Sequence, residues 1–205
     1  MIRNYIISFL VLSFIFGFFL NLQADGPSIG KAAPDFTLLD SYGKKHTLSE
    51  YKGKFVVLEW FNPDCPFVKR HYASENMQKL QEEYTKKDVI WLIINSSAPG
   101  KQGHCTPELA NKLVKEKHAS PTAFLLDHEG EVGKKYGAKT TPHMFVINPK
   151  GILIYNGAID DKPSAKKEDT AKAKNYVRMA LDESMAGEEV SIPTTQPYGC
   201  SVKYK

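Results

Sequence analysis

The sequence predicts an α/β fold built on a mixed sheet with helices on both faces, and three observations lead to this prediction. Two runs, 55–61 and 89–94, are apolar at nearly every position, which is typical of strands buried on both faces. Residues 66–87 between them carry apolar side chains at helical spacing. A Pro/Gly turn at 148–151 separates two further apolar runs, as in a β-hairpin. This order indicates a sheet with one parallel half and one antiparallel half.

The other elements follow in chain order. Phe36–Leu39 is predicted to be a short strand that a turn connects to its return at Thr47. Thr106 followed by Pro107 is typical of a helix start, with an N-cap and a proline at the first helical position. Residues 123–126 are predicted to form a third strand. The last helix is predicted over 168–186, with five side chains facing the core: Ala173, Val177, Ala180, Leu181 and Ser184.

Residues 1–24 are predicted to be a signal peptide or an N-terminal anchor. Arg3 precedes an uncharged apolar run from Tyr5 to Leu20, and the small residue Ala24 provides a plausible cleavage point. The run is slightly long for a signal and slightly short for a membrane span, so both alternatives stay open. We therefore expect an exported protein of the periplasm or cell envelope, which contacts a membrane only through this segment if it is uncleaved.

The rest of the chain is predicted to form one domain over 25–186 and a polar tail over 187–205. Without Arg3 the net charge falls from +4 to +3, which gives no reason to expect a nucleic-acid partner. The chain has three cysteines, Cys65, Cys105 and Cys200, and the last of them lies in the tail. An odd number in an exported protein leaves at least one thiol without an intramolecular partner, which indicates redox chemistry or intermolecular pairing.

Cys65 is the candidate nucleophile because it lies where the first buried strand gives way to its helix. Backbone N–H groups of the first helical turn and the helix dipole favour the thiolate over the thiol. Lys69 and Arg70 add positive charge one turn further on, whereas Asp64 opposes them. The alternative is an inert buried cysteine, which is common among free cysteines.

Two segments resemble the thioredoxin superfamily. Trp60-Phe-Asn-Pro-Asp-Cys-Pro66 is similar to the Trp-x-x-x-x-Cys start of its active-site helix, and Thr140-Thr-Pro-His-Met-Phe-Val146 is similar to its cis-proline loop. The additional helix and strand between Val89 and Asp127 resemble the redoxin branch, which includes alkyl hydroperoxide reductase and thiol-specific antioxidant proteins. The resemblance runs from about Ile29 to Tyr155. It implies a thioredoxin-like fold with a redoxin-type β-α insertion, and thiol chemistry at Cys65 without a bound cofactor.

The sequence departs from this superfamily at two positions. Thioredoxins carry Cys-x-x-Cys, but Val68 occupies the second position here, so exchange within the helix is impossible. Typical peroxiredoxins carry Pro-x-x-x-Thr-x-x-Cys, whereas here Pro63 lies two residues before Cys65 and that window holds no Thr. A resolving thiol must therefore come from elsewhere in the chain, and peroxidase activity is expected to be weak.

Three further residues are the candidate substrate-binding residues: Asn62, Thr141 and Pro142. If the Thr141–Pro142 bond is cis, the backbone of Thr141 can pair with an extended partner that lies across Cys65. We favour Cys200 as the resolving residue, because fourteen residues, 187–200, can return from the far end of the last helix. Cys105, on a loop at the same sheet edge, is the competing residue.

The sequence does not predict a metal site. His71 and His143 could join Cys65 as ligands for copper or zinc, but six residues separate Cys65 from His71, so they point to different helix faces. Asp160 and Asp161 are interpreted as a loop at a helix start rather than as an acid–base pair. The remaining histidines are interpreted as surface residues: His46, His104, His118 and His128.

The sequence thus predicts a thiol–disulfide oxidoreductase or weak thiol peroxidase that uses Cys65 and Cys200. Its partners would be a thiol or disulfide protein, or a peroxide, together with a reductant that the sequence does not identify. The alternative is a non-enzymatic thioredoxin-fold binding protein such as a copper carrier.

Overall fold

The structure is a computed structural model that describes residues 26–205, so the predicted signal or anchor lies outside it. Its strands are β1 (Thr37–Asp40), β2 (Lys45–Thr47), β3 (Val56–Trp60), β4 (Ile90–Asn95), β5 (Ala123–Leu126), β6 (Thr140–Thr141), β7 (His143–Ile147), β8 (Leu153–Gly157) and β9 (Cys200–Ser201). Its α-helices are α1 (Pro66–Ala73), α2 (Asn76–Thr85), α3 (Pro107–Glu116), α4 (Glu131–Tyr136) and α5 (Tyr176–Met185), and two short 3₁₀ turns cover Leu48–Tyr51 and Lys167–Lys172.

Seven strands form one sheet in the order β2-β1-β5-β4-β3-β7-β8. β3, β4 and β5 run parallel, while β7 and β8 continue antiparallel from β3, and β1 and β2 continue antiparallel from β5. Apolar clusters fill both faces of this sheet, and every residue of β3 and β4 is buried. The predicted mixed sheet with helices on both faces is confirmed. Sites in such sheets lie beyond the carboxyl ends of the parallel strands, so a site is expected where β3, β4 and β5 end.

The single helix predicted over 66–87 is wrong, because two helices, α1 and α2, occupy this segment. Ser74 ends α1, and Glu75 takes a left-handed conformation with φ of 59° before α2 begins. Tyr72 and Leu80 nevertheless bury their side chains on either side of the break, since α2 resumes on the same core. The apolar spacing therefore continues through the interruption and does not reveal it.

The predicted last helix also starts too early. A 3₁₀ turn covers Lys167–Lys172, and α5 begins only after Asn175, whose side chain accepts a hydrogen bond from the Arg178 N–H at 2.9 Å. This N-cap fixes the start of the helix. The prediction did not include the six-residue helix α4, whose two ends are set by the left-handed glycines Gly130 and Gly137.

The tail after α5 is hydrogen-bonded to the domain from Pro193 to Lys203. Asn156 N–H donates to the Pro193 carbonyl at 3.0 Å beside β8, and Val202 N–H donates to the Lys139 carbonyl at 3.1 Å. Ala98 N–H, in the loop after β4, donates to the Lys203 carbonyl at 2.9 Å. The tail thus crosses the carboxyl edge of the sheet from β8 to the loop after β4. Within residues 26–205, no helix combines the length and hydropathy that a bilayer span requires.

Candidate active site

Cys65 is the N-cap residue of α1, and Pro66 follows it as the first helical residue. Its side chain is completely buried, at 0% exposure. In its protonated form the Cys65 thiol donates to the carbonyl oxygen of Thr141 at 2.9 Å. The strand-to-helix junction therefore places this sulfur directly against the loop before β7, as the two sequence segments predict.

That loop holds a cis peptide bond between Thr141 and Pro142. β6 and β9 form a two-stranded antiparallel ladder in which Thr141 pairs with Cys200. Gly199 lies so close that a Cβ atom on it would stand 2.0 Å from the Thr141 carbonyl oxygen. The tail thus occupies the position beside Thr141 where the sequence predicted an extended partner.

The surroundings of Cys65 and Cys200 shift the pKa values of the two thiols in opposite directions. Burial raises the pKa of Cys65, but hydrogen bonds from the Cys200 thiol and from the backbone N–H groups of Val68 and Cys200 lower it, and the net pKa lies below the ordinary value. Burial and the neighbouring Cys65 raise the pKa of Cys200 to about 11. Of the two sulfurs, Cys65 therefore has the greater thiolate character.

Asn62 shapes the loop that leads to Cys65. Its side chain is completely buried, and its Oδ1 accepts a hydrogen bond from the Asp64 N–H at 2.8 Å. Its Nδ2 donates to the Gln102 carbonyl at 3.4 Å, so it also joins the loop after β4. A Cβ atom on Gly103 would collide with this amide. Asn62 is therefore placed to position the loops and has no open side toward a substrate.

Arg70 does not supply charge to Cys65 as the sequence suggested. Its completely buried guanidinium forms an ion pair with Asp160 at 2.8 Å and donates to the Ser164 carbonyl at 2.8 Å. Tyr198, two residues before Cys200, also donates a hydrogen bond from its hydroxyl to Asp160. We call Arg70, Asp160 and Tyr198 the tail anchor. It holds the tail where it meets α1, and the prediction did not foresee it, because these residues lie far apart in sequence.

His71 and His143 are buried rather than exposed. Burial lowers the pKa of His71 to about 3 and that of His143 to about 4, so both imidazoles stay neutral at ordinary pH. His71 Nε2 lies 3.3 Å from the Tyr198 hydroxyl, and His143 Nε2 lies 2.7 Å from Asn156 Oδ1. Across residues 26–205, no three His, Cys, Asp or Glu side chains converge in a way that could hold a metal ion.

His46 was interpreted as a surface residue, and this is wrong. It is 4% exposed on β2, with Nε2 2.8 Å from a carboxylate oxygen of Asp40. The carboxylate and the Tyr51 ring give the imidazole a place in the interior.

Cys105 is buried in the loop before α3. Burial, reinforced by the charge of Asp64, raises the pKa of its thiol to about 12. The thiol donates to the Gly103 carbonyl at 3.6 Å, and the Cys105 N–H donates to Asn95 Oδ1 at 3.3 Å. These features are those of an inert structural cysteine.

A buried carboxyl group lies under the site without contacting Cys65. Glu59 is 0% exposed on β3 and accepts hydrogen bonds from the Tyr72 hydroxyl at 2.8 Å, the Trp91 indole at 2.8 Å and the Gln81 amide at 3.1 Å. Burial raises its pKa to about 7, against these donors. Glu59 was not predicted as a site residue, although its place as the one acid in an otherwise apolar strand is a visible signal.

Known proteins with similar sequences share a family with this chain. The Redoxin family model matches residues 28–176. A protein named thiol-disulfide oxidoreductase ResA from Geobacillus thermodenitrificans is 28% identical over 60% of this chain, and the match spans 66% of that protein, just under two thirds of its length. A protein named peroxiredoxin Bcp from Bacillus subtilis is 26% identical over 75% of this chain and 92% of its own.

Solved structures agree with the fold. An uncharacterised conserved protein from Geobacillus kaustophilus superposes with a TM-score of 0.75 at 28% identity, covering 88% of this chain and 94% of its own. A hypothetical protein from Sinorhizobium meliloti 1021 superposes with a TM-score of 0.74 at 26% identity, covering 88% of this chain and 97% of its own. The two named relatives are thus, by name, a thiol-disulfide oxidoreductase and a peroxiredoxin.

Proposed function

The chain belongs to the Redoxin family, and we propose that it is a thiol–disulfide oxidoreductase that cycles between two free thiols and a Cys65–Cys200 disulfide. One observation carries the proposal. Cys200 pairs with Thr141 in the β6–β9 ladder, and this pairing brings its thiol within hydrogen-bonding reach of the Cys65 sulfur. The tail thus supplies the second thiol, because Val68 occupies the helix position where thioredoxins have their second cysteine.

The chemistry follows from the two acidities. Cys65 is the thiolate of the pair, so its sulfur attacks a mixed disulfide or an oxidised sulfur held near it, or leaves when the internal disulfide is broken. Cys200 contributes the other sulfur of the bond. Cys105, whose thiol is raised in pKa and hydrogen-bonded inside the core, remains outside the cycle. Thr141 fixes Cys200 through the backbone ladder, and Asn62 fixes the loop that precedes Cys65.

Peroxide is the poorer of the two substrate classes for this site. The three residues before Cys65 are Asn62, Pro63 and Asp64, which supply no hydroxyl to hold a peroxide. Asn62 is turned inward, and Cys65 is completely covered. Activated attack on a peroxide needs donors placed in advance on its oxygens.

The test is a peptide map of the oxidised protein under non-reducing conditions, combined with an exchange assay on a glutathione-blocked peptide. The expected result is a Cys65–Cys200 peptide and activity that Cys65→Ser abolishes. Cys105→Ser is the matched control, since it removes a cysteine of the same core and should retain activity. A Cys65–Cys105 bridge, or full activity in Cys65→Ser, would overturn the proposal.

We further propose that the protein acts outside the cytoplasm, in the periplasm or cell envelope. The apolar run that follows Arg3 supports this. Amino-terminal sequencing of the protein from fractionated cells should give a start near residue 25, or an intact segment in the membrane fraction. Recovery of the full chain in the cytoplasm would contradict export.

A further inference from the structure

The two sulfurs of the pair differ in what can reach them. Cys65 has no exposed surface, whereas Cys200 lies on the outer tail and is half-buried. Ser201, the next residue, is exposed. A partner that approaches the carboxyl edge of the sheet therefore meets Cys200 before it meets Cys65.

The tail blocks the approach to Cys65. β9 pairs with Thr141, whose carbonyl oxygen contacts the Cys65 sulfur. On one side of β9 the tail anchor fixes Tyr198, whose ring also packs edge-on against Phe67 with centroids 5.7 Å apart. On the other side Val202 donates to the Lys139 carbonyl at 3.1 Å. A partner could reach Cys65 directly only after this segment, held on both sides, had left the domain.

We infer that an external thiol forms its mixed disulfide with Cys200 and not with Cys65, so that the tail is the element that meets the partner. This inference rests on the proposed function, because it assigns the partner-facing sulfur of the same disulfide. It reverses the roles expected from the sequence, in which Cys65 met the substrate and Cys200 acted afterwards.

The exchange takes place in two steps and conserves atoms and electrons. In the oxidised protein, a partner thiolate attacks the Cys200 sulfur, and the Cys65–Cys200 bond breaks with its electron pair on Cys65. The products are a partner–Cys200 mixed disulfide and the Cys65 thiolate. A second partner thiolate then attacks the partner's own sulfur in this mixed disulfide. Cys200 leaves and takes up a proton, so the protein gains two electrons and the two partner thiols become a disulfide.

The acidities favour this direction of attack. A disulfide breaks faster toward the sulfur that is the better leaving group, which is the thiol of lower pKa. Cys65 has that lower pKa at the start of α1, where the backbone N–H groups of Val68 and Cys200 donate to its thiolate and remain available once Cys200 carries the partner's sulfur. Exposure and leaving-group ability thus select the same sulfur for attack.

The experiment uses the full chain with Cys105→Ser, oxidised and then mixed briefly with reduced glutathione. Acid stops the exchange, and peptide mapping at low pH locates the glutathione. The expected result is glutathione on Cys200 and a free thiol at Cys65. Glutathione on Cys65 would overturn the inference and leave the Cys65–Cys200 cycle intact, whereas absence of the internal disulfide before mixing would overturn both.

A second measurement does not depend on the disulfide. The two single-cysteine proteins, Cys65→Ser/Cys105→Ser and Cys200→Ser/Cys105→Ser, are reacted with an aromatic disulfide reagent at a pH above 8, folded and in urea. Dividing each folded rate by the corresponding unfolded rate removes the intrinsic reactivity of the thiol. The ratio of folded to unfolded rate should be at least tenfold higher for Cys200 than for Cys65. Equal ratios for the two cysteines would contradict the inference.

Discussion

Cys200 and Thr141 lie opposite each other in the β6–β9 ladder, and the Cys65 sulfur contacts the carbonyl oxygen of that same Thr141 at 2.9 Å. One residue of the cis-proline loop therefore positions both sulfurs of the proposed disulfide. The backbone edge of β6 at Thr141 could also bind an extended peptide as an added strand. In this protein the tail itself takes that edge, which makes the exchange site intramolecular.

The acidity of Cys65 should depend on Cys200. In a Cys105→Ser background, we expect the Cys65 thiol to titrate below the ordinary value of about 8.5. Cys200→Ala removes one donor to the thiolate and should raise the pKa of Cys65, because a hydrogen bond to the charged form favours that form. The ultraviolet absorbance of the thiolate as a function of pH measures both. An unchanged midpoint in Cys200→Ala would show that the contact contributes nothing.

Hydrogen peroxide should oxidise Cys65 slowly. The segment 62–64 supplies no hydroxyl to the peroxide, and the tail covers the sulfur. Stopped-flow measurement of Cys65 oxidation should give a rate constant far below the near-diffusional range of about 10⁷–10⁸ M⁻¹s⁻¹. The control is the same protein with Tyr198→Phe, which separates poor access from missing donors. A rate within that range in the unmodified protein would refute the expectation.

The fold was largely predictable because its signals are local. The apolar runs at 55–61 and 89–94 and the turn at 148–151 each fix an element without reference to the rest of the chain. The cis-proline loop and the helix start at Cys65 were likewise visible as short segments. The break at Glu75 was missed because the residues on either side of it bury the same face.

The site was less predictable where it depends on distant partners. Arg70 was interpreted as a charge for Cys65, but the Asp160 carboxylate, ninety positions away, takes its guanidinium at 2.8 Å. Asn62 was predicted to face a substrate, but residues 102–103 of the loop after β4 pack against its side chain. The length of 187–200 allowed the tail to return, and only the three-dimensional contacts show where Tyr198 anchors it.

Loosening the tail anchor should expose both sulfurs. Tyr198→Phe removes the hydroxyl that donates to Asp160 and leaves the packing against Phe67 in place. Losing a hydrogen bond to a charged group costs about 1.5–3 kcal/mol, so opening of the tail should become at least tenfold more frequent. Alkylation of Cys65 followed by mass spectrometry measures this opening.

Tyr42→Phe is the matched control for this change, because Tyr42 is 82% exposed in the turn between β1 and β2. It should alkylate at the unmodified rate. If Tyr198→Phe and Tyr42→Phe behave alike, the tail is held by contacts other than the anchor.

The buried Glu59 should make stability fall as pH rises. Its folded pKa of about 7 lies above the ordinary value of 4.5, so the folded state binds its proton more tightly than the unfolded state does. Stability from this group is complete below pH 4.5 and is lost as pH rises through 7, by about 3 kcal/mol in all. Urea unfolding of Glu59→Gln and of the unmodified protein between pH 5 and 8 tests this. Their difference in free energy should change across that range, and a constant difference would contradict the raised pKa.

Closure of the internal disulfide should depend on the absence of a side chain at Gly199. A Cβ atom there would stand 2.0 Å from the Thr141 carbonyl oxygen, so Gly199→Ala cannot keep β9 on β6 without a shift of the backbone. Gly187→Ala is a matched control in the same tail, since Gly187 also has a positive φ, of 83°, but nothing lies within 4 Å of its added Cβ. Both substitutions carry the backbone strain of a left-handed position, and only the first blocks the ladder. After mild oxidation, Gly199→Ala should form the Cys65–Cys200 peptide at least tenfold more slowly than Gly187→Ala. Equal rates would mean that the disulfide closes without the Thr141 ladder.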